Sequence, residues 1–245
     1  MTPKQLFQAG KLSDAIAALS AEIRDNPTDT QRRTFLFELL CFAGEFDRAE
    51  KQLNLLADQS QQAQMGAILY FSALHAERMR ADMFRKNDFP TGESKPADSF
   101  RGTIDGRPFE SIEDSDPRIG ARLELFAAGA YLWLPLEHVV SIETQAPKRL
   151  RDLLWIPALV RTGPEFRDKE LGEVLIPVLC PLSFEDADDN VKLGRATEWR
   201  DRDGESVPVG QKTLLIDGED IPILEIRKIE FQTAEAAAAA QPAGE

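Results

Sequence analysis

The sequence predicts an α+β protein, with paired helices first and a β-rich part after them, and three observations predict it. A segment near the start, Ala9 to Ile16, returns 34 residues later as Ala43 to Glu50. Residues 87–99 (NDFPTGESKPADS) concentrate Pro, Gly, Ser and charge, as a boundary between domains does. Beyond that boundary the apolar residues come in short runs separated by turn-forming pairs such as Asp105-Gly106 and Asp217-Gly218.

The first part reads as tetratricopeptide-like helical repeats over residues 1–86. Gly10 maps onto Gly44, Leu12 onto Phe46, Ala15 onto Ala49 and Leu19 onto Leu53, and 34 residues is the length of that helix–turn–helix unit. The glycines fall where one helix turns into the next, a place for a left-handed residue. The alanines let paired helices approach, and the larger apolar residues fill the seam. Continuing the register gives helices near 3–9, 12–25, 29–42, 46–58 and 62–86. The last lacks a turn at Arg78 and reads as one long capping helix. Gln31, Thr34, Glu38, Cys41, Met65, Ile68, Ser72 and His75 are expected to line the concave face. That mixed, partly apolar set suits an apolar helix or strand better than an acidic tail. So short an array is marginal alone, because each unit buries its face only against neighbours. Docking onto the second part is expected.

Residues 100–231 read as an acidic β-rich domain, a small barrel or curled sheet. Phe100–Ile104 with Arg107–Phe109, Arg122–Phe126 with Tyr131–Leu134, and Leu214–Ile216 with Ile221–Ile229 are hairpin candidates. Leu153–Val160 and Val174–Cys180 are further strands. Pro135, Pro157, Pro177 and Pro181 should confine their strands to edges or bends. Residues 232–245, rich in alanine, are expected to be a disordered tail.

Composition bounds the function. The chain of 245 residues has 42% hydrophobic and 29% charged residues, an ordinary globular balance. The net charge is −13. Residues 1–90 carry 11 Lys/Arg and 12 Asp/Glu, and the remainder 18 and 30, so nearly all the excess acid lies in the second part. This argues against nucleic acid and anionic membranes as partners. No apolar run is long enough to span a bilayer, and the N-terminus has no secretory pattern. Cys41 and Cys180 fit no metal spacing and are not expected to pair. The expected compartment is the cytoplasm.

Catalytic constellations are missing. No phosphate-binding glycine loop, serine elbow or zinc motif occurs, and His75 and His138 read as packing or surface residues. The run Glu185 to Asn190 fails the calcium-loop pattern at Val191 and Thr197 and reads as a solvated loop. Asp201 to Gly204 reads as a turn. An enzyme using Asp116 and Glu124 as acid and base is the alternative from another class. No cofactor or metal is expected. Trp133 and Trp155, each near a proline amid aliphatics, are either core residues or anchors for a partner.

Asp116-Pro117-Arg118-Ile119-Gly120, Tyr131-Leu132-Trp133-Leu134-Pro135 and Arg151-Asp152-Leu153-Leu154-Trp155 together resemble the signature of the ImpE family, also called TagJ or SciE. The likeness extends over nearly the whole chain. It implies an accessory protein of a bacterial type VI secretion system, acting in the cytoplasm as a non-enzymatic adaptor. The partners it implies are the small sheath subunit, through its N-terminal helix, and the ATPase that recycles contracted sheath. It supplies no catalytic residues. The other reading is a generic tetratricopeptide chaperone or scaffold for another cytoplasmic client.

Overall fold

The computed structural model describes residues 1–91, 95–163, 171, 173–202 and 204–232. The helices are α1 (Pro3–Gln8), α2 (Leu12–Asp25), α3 (Thr30–Phe42), α4 (Phe46–Ala57), α5 (Gln61–Lys86) and, far along the chain, the single turn α6 (Asp189–Lys192). Their starts follow from local chemistry. Thr2 and Gln5 form a capping box around Pro3, Asp29 accepts from the Arg32 amide at 2.9 Å, and Ser60 accepts from the Ala63 amide at 3.0 Å. Their ends are equally local. Gly10 and Gly44 carry φ of +75° and +69° at the two equivalent turns, and α5 stops at a left-handed Asn87.

The rest is antiparallel. One eight-stranded sheet has the order β2-β1-β13-β6-β7-β8-β4-β5. Its members are β1 (Gly102–Ile104), β2 (Arg107–Phe109), β4 (Arg122–Ala127), β5 (Ala130–Pro135), β6 (Val139–Thr144), β7 (Trp155–Thr162), β8 (Glu173–Pro177) and β13 (Lys228–Phe231). A three-stranded sheet joins β12 (Glu219–Pro222), β11 (Thr213–Ile216) and β3 (Ile112–Asp114), and β9 (Thr197–Arg202) pairs with β10 (Glu205–Gly210) as a ribbon. Of the two expected forms, the open curled sheet is the right one. The large sheet ends in the edges β2 and β5 and does not close into a barrel.

The three expected hairpins form. Asp105-Gly106, Ala128-Gly129 and Asp217-Gly218 each place two successive residues at positive φ, the geometry whose twist matches paired strands. Other expectations need correction. Ile221–Ile229 is broken by a 3-10 turn at Ile223–Glu225, so β12 and β13 serve different sheets. Pro157 stands in an interior strand, not at an edge. It faces Leu175 of β8, and pairing of β7 with β6 begins only at Ala158, so it lies beyond the end of β6. β3, β6, β9 and β10 were not expected. The alanine-rich segment expected as a disordered tail lies, from residue 233 on, outside the described residues.

Two cores form, and the first is shared by both parts of the chain. It runs from Leu12, Leu19, Leu36, Leu40, Leu53, Leu74 and Phe84 of the helices into Ile119, Phe126, Tyr131, Trp155, Leu182 and Leu193. The second lies inside the sheets, around Leu125, Ile142, Ile156, Ile176 and Ile229. Even Phe89, in the expected linker, stacks on Trp133 with centroids 5.7 Å apart.

The acidic run expected as a solvated loop is what clips the second part onto the repeat turns. Asp189 accepts from the amides of Leu12 (2.8 Å) and Ser13 (3.3 Å). It thus caps α2, whose own N-cap residue Lys11 makes no side-chain cap. Arg195 donates to the carbonyls of Phe7 (2.7 Å) and Gln8 (3.1 Å) at the end of α1. One repeat later, Phe184 covers Gly44 and meets Phe46 edge-on at 5.3 Å. A Cβ on Gly44 would lie 2.2 Å from the Phe184 ring, so glycine is required there for space as well as for φ. Gly44→Ala is expected to cost about 2 kcal/mol of stability in urea unfolding of the full chain. Phe184→Ala in that background should recover part of the loss, since it removes the clash and leaves the strained φ.

Candidate functional site

Four charged side chains meet where the two parts join, all of them buried. Arg80, inward on α5, forms a two-pronged pair with Glu124 of β4, Nε to Oε1 at 2.8 Å and Nη2 to Oε2 at 2.9 Å, and donates from Nη2 to the Leu179 carbonyl at 2.9 Å. Lys212, just before β11, reaches Glu124 Oε2 at 2.6 Å and also pairs with Asp114 at the end of β3. The Tyr131 hydroxyl donates to Glu124, and the Trp133 indole N–H donates to that hydroxyl oxygen. Glu77, one turn before Arg80, accepts from the Trp155 indole at 2.9 Å. Strands from both smaller and larger sheets therefore converge on one helix.

Burial sets the protonation of this cluster. Burial works against ionised Glu124, but Arg80 and then Lys212 outweigh it and hold its carboxyl well below the usual carboxylate range. Burial pushes Asp114 up, and although Lys212 pulls it back, the charge of Glu124 helps hold it at about 6. Glu77 and Glu38 are raised too, first by burial. Neighbouring carboxyl groups pushed in opposite directions are the pattern of an acid–base pair. Here the adjoining cavity is about 20 Å³, room for one water and for no substrate. Asp116 and Glu124, weighed above as acid and base, are tied up separately. Asp116 is held by Arg118 at 2.6 and 2.8 Å, and both carboxylates are inaccessible. No group of His, Cys, Asp and Glu among the described residues is arranged to hold a metal.

The three signature segments line this same junction. Arg118 lies over the Phe84 ring at 4.7 Å, Trp133 packs on Phe84 and Phe89, and Arg151 sits over Tyr70 at 4.7 Å while pairing with Glu38 at 3.3 Å. Trp155 is fully buried and lies 6.4 Å from Tyr70, centroid to centroid. Both tryptophans thus serve the joint between the two parts, Trp133 half-buried and Trp155 in the core.

The expected concave face is therefore divided. Glu38 and Cys41 are buried, Glu38 against Arg151 and Cys41 around a cavity shared with Trp155 and Cys180. The groove at their level is filled by the chain's own second part. Gln31 is exposed on the first turn of α3, and Thr34 bonds back to the Thr30 carbonyl at 2.9 Å. Met65, Ile68 and Ser72 instead border an open cleft of about 390 Å³ with Leu69, Phe126 and Gly129. His75 is exposed further along the same helix. Met65, Ile68 and Leu69 are 68%, 59% and 49% exposed, a concentration of bare apolar surface on one stripe of α5. Leu69, Phe126 and Gly129 were missed. Leu69 follows from helical spacing, but the other two arrive from a hairpin whose placement the helix sequence does not encode.

These features define a helical-repeat protein whose groove is largely closed by its own β-rich half. A tetratricopeptide repeat model matches residues 6–69, and the ImpE protein model matches residues 106–230. The chain belongs to the ImpE family. It is 29% identical over 268 residues to the type VI secretion system accessory component TagJ of Pseudomonas aeruginosa, covering 96% of this chain and 93% of that one. A crystal structure of a Vibrio parahaemolyticus protein superposes with a TM-score of 0.81 at 22% identity, covering 96% of this chain and 99% of that chain, which shows the shared fold.

Removing one member of the buried pair should be severe. Arg80→Met leaves Glu124 without its main partner and is expected to cost about 3–5 kcal/mol in chemical unfolding. The pH dependence has a definite sign. Asp114 is raised above its ordinary 3.8 to about 6, so its contribution is full below about 3.8 and is lost as pH rises through about 6. Glu124 is depressed below its ordinary 4.5, so its contribution is present above 4.5 and lost on further acidification. Stability should therefore rise from pH 7 towards 5 and fall below 4.5. Asp114→Asn should flatten the rise and spare the acid limb.

Proposed function

We propose that this chain is a non-enzymatic accessory protein of a type VI secretion system. It acts in the cytoplasm as an adaptor that binds the N-terminal helix of the small sheath subunit and links it to the sheath-recycling ATPase. The observation that supports this reading most is the likeness to TagJ along 96% of the chain, which takes in both the repeats and the sheets. The internal evidence agrees. The most conspicuous polar cluster is enclosed and serves the joint between the two halves. The exposed features are those of a binding protein: an apolar cleft on α5 and an acidic second half. No helix among the described residues is long and apolar enough to cross a membrane.

Titration of a fluorescently labelled peptide, the small subunit's N-terminal helix, into the full chain tests the first contact. Saturable binding in the micromolar range or tighter, about −8 kcal/mol, is expected. Adding the recycling ATPase should then produce a ternary species in analytical ultracentrifugation. Failure of the peptide to bind, with unchanged sheath turnover in a deletion strain, would leave the generic scaffold reading in its place.

A further inference from the structure

A second cleft, of about 430 Å³, opens at the C-terminal end of α5 against the β9–β10 ribbon. Its volume lies within the roughly 300–1,000 Å³ typical of ligand clefts. Four separated stretches of chain build it: the end of α5, the signature segment at Arg118, the turn after Leu182 and the ribbon.

Its walls are apolar. Phe84 and Phe89 meet edge-on with centroids 5.1 Å apart, and Leu182 and Val207 face the same space. Two guanidinium groups border it with donors to spare. The Arg118 side chain is 8% exposed. It commits Nε and Nη2 to Asp116, while its Nη1 makes no hydrogen bond among the described residues and is not sealed from solvent. Arg202 is loosely held, 3.4 Å from the Leu182 carbonyl and 3.7 Å from Glu185, whose other oxygen is taken by Arg85 at 2.8 Å. A guanidinium has five N–H donors and no acceptor, so the unused ones suit an oxyanion.

Charge and shape decide which oxyanion. Asp116 already balances Arg118, and Glu185 balances Arg85. Glu205 stands directly across the ribbon from Arg202, exposed and without an ion pair among the described residues. Its charge opposes a dianion such as phosphate about twice as strongly as a single carboxylate. A carboxylate also matches the planar fork of arginine, and the aromatic and aliphatic walls favour an apolar remainder.

We infer that this cleft binds a small organic carboxylate with an apolar body, its oxygens taken by Arg118 and Arg202 and its body set against Phe84 and Phe89. The carboxylate is that of a free acid or of a peptide's C-terminal residue, and the chemistry is the same for both. The inference goes beyond the adaptor reading and does not rest on it.

The test follows the full chain by ¹H–¹⁵N NMR, at constant ionic strength, as benzoate, N-acetyl-phenylalanine, benzamide or inorganic phosphate is added. Saturable shifts around the cleft are expected with the two carboxylates and not with benzamide or phosphate. Arg202→Gln should weaken carboxylate binding about tenfold. Glu205→Gln should tighten it about two- to fivefold, an opposite sign that general damage to the fold would not give. Arg161→Gln, exposed on β7 and outside the cleft, should bind as the parent does. Tighter binding of benzoate would point to a free acid and of N-acetyl-phenylalanine to a chain terminus, and either supports the site. The inference is overturned if neither carboxylate saturates, if benzamide or phosphate binds as tightly, or if Arg202→Gln binds as the parent does.

Discussion

Burying Arg80 is the constraint on which the arrangement of the whole chain depends. A guanidinium without water needs a carboxylate of matching geometry at a fixed place, and Glu124 supplies both of its oxygens. That carboxylate in turn takes Lys212, and Lys212 takes Asp114. Residues from α5, β3, β4 and the segment just before β11 are thereby held within hydrogen-bonding distance of their partners. An apolar contact could slide by a helical turn with small loss; this one cannot. The aromatic layer around it, with Phe84, Phe89, Trp133, Tyr70 and Trp155, excludes water and so keeps the electrostatics strong.

This joint reassigns the parts of the molecule. The repeat helices supply a support whose Glu38 and Cys41 are spent on packing against the second half, while Met65, Ile68 and Leu69 of α5 stay exposed. The family signature falls on the joint, which explains how segments with no catalytic logic can nonetheless be distinctive. Arg118, Trp133, Arg151 and Trp155 need particular shapes and donors because they bridge two halves built from distant stretches of chain.

Helix positions were legible in the sequence because their causes are local. Thr2, Asp29 and Ser60 cap, Gly10 and Gly44 turn, and each acts within four residues of its place. The Asp-Gly hairpins were legible for the same reason. What escaped reading depends on partners far along the chain. Nothing near Lys11 announces that α2 is capped by Asp189, and nothing in the run from Glu185 to Asn190 distinguishes a clip from a solvated loop. Glu38 and Cys41 share a helical face with plausible groove residues, and only the docking of Arg151 and Trp155 shows that this face is covered. β6 and the ribbon of β9 and β10 were overlooked because Val139–Thr144 lacks a turn signal on either side and Thr197–Arg202 is mostly charged. Met65, Ile68 and Ser72 were found for a sound reason, their spacing, but their neighbours Phe126 and Gly129 across the cleft come from a distant hairpin.

The order in which the chain is made gives the Arg80–Glu124–Lys212 cluster one more consequence. A ribosome adds about 5–20 residues per second, and Lys212 follows Arg80 by 132 positions, so roughly ten seconds separate their emergence. Early in that interval, before Glu124 and Trp133 emerge, the helices can form, but the face bearing Arg80 and Phe84 lacks the residues that cover it in the finished fold. Nor can Asp189 yet cap α2. The nascent chain thus passes through a stage in which a half-built array displays its future core to the cytosol, and its yield in the cell depends on what shields that face before the last sheets close over it.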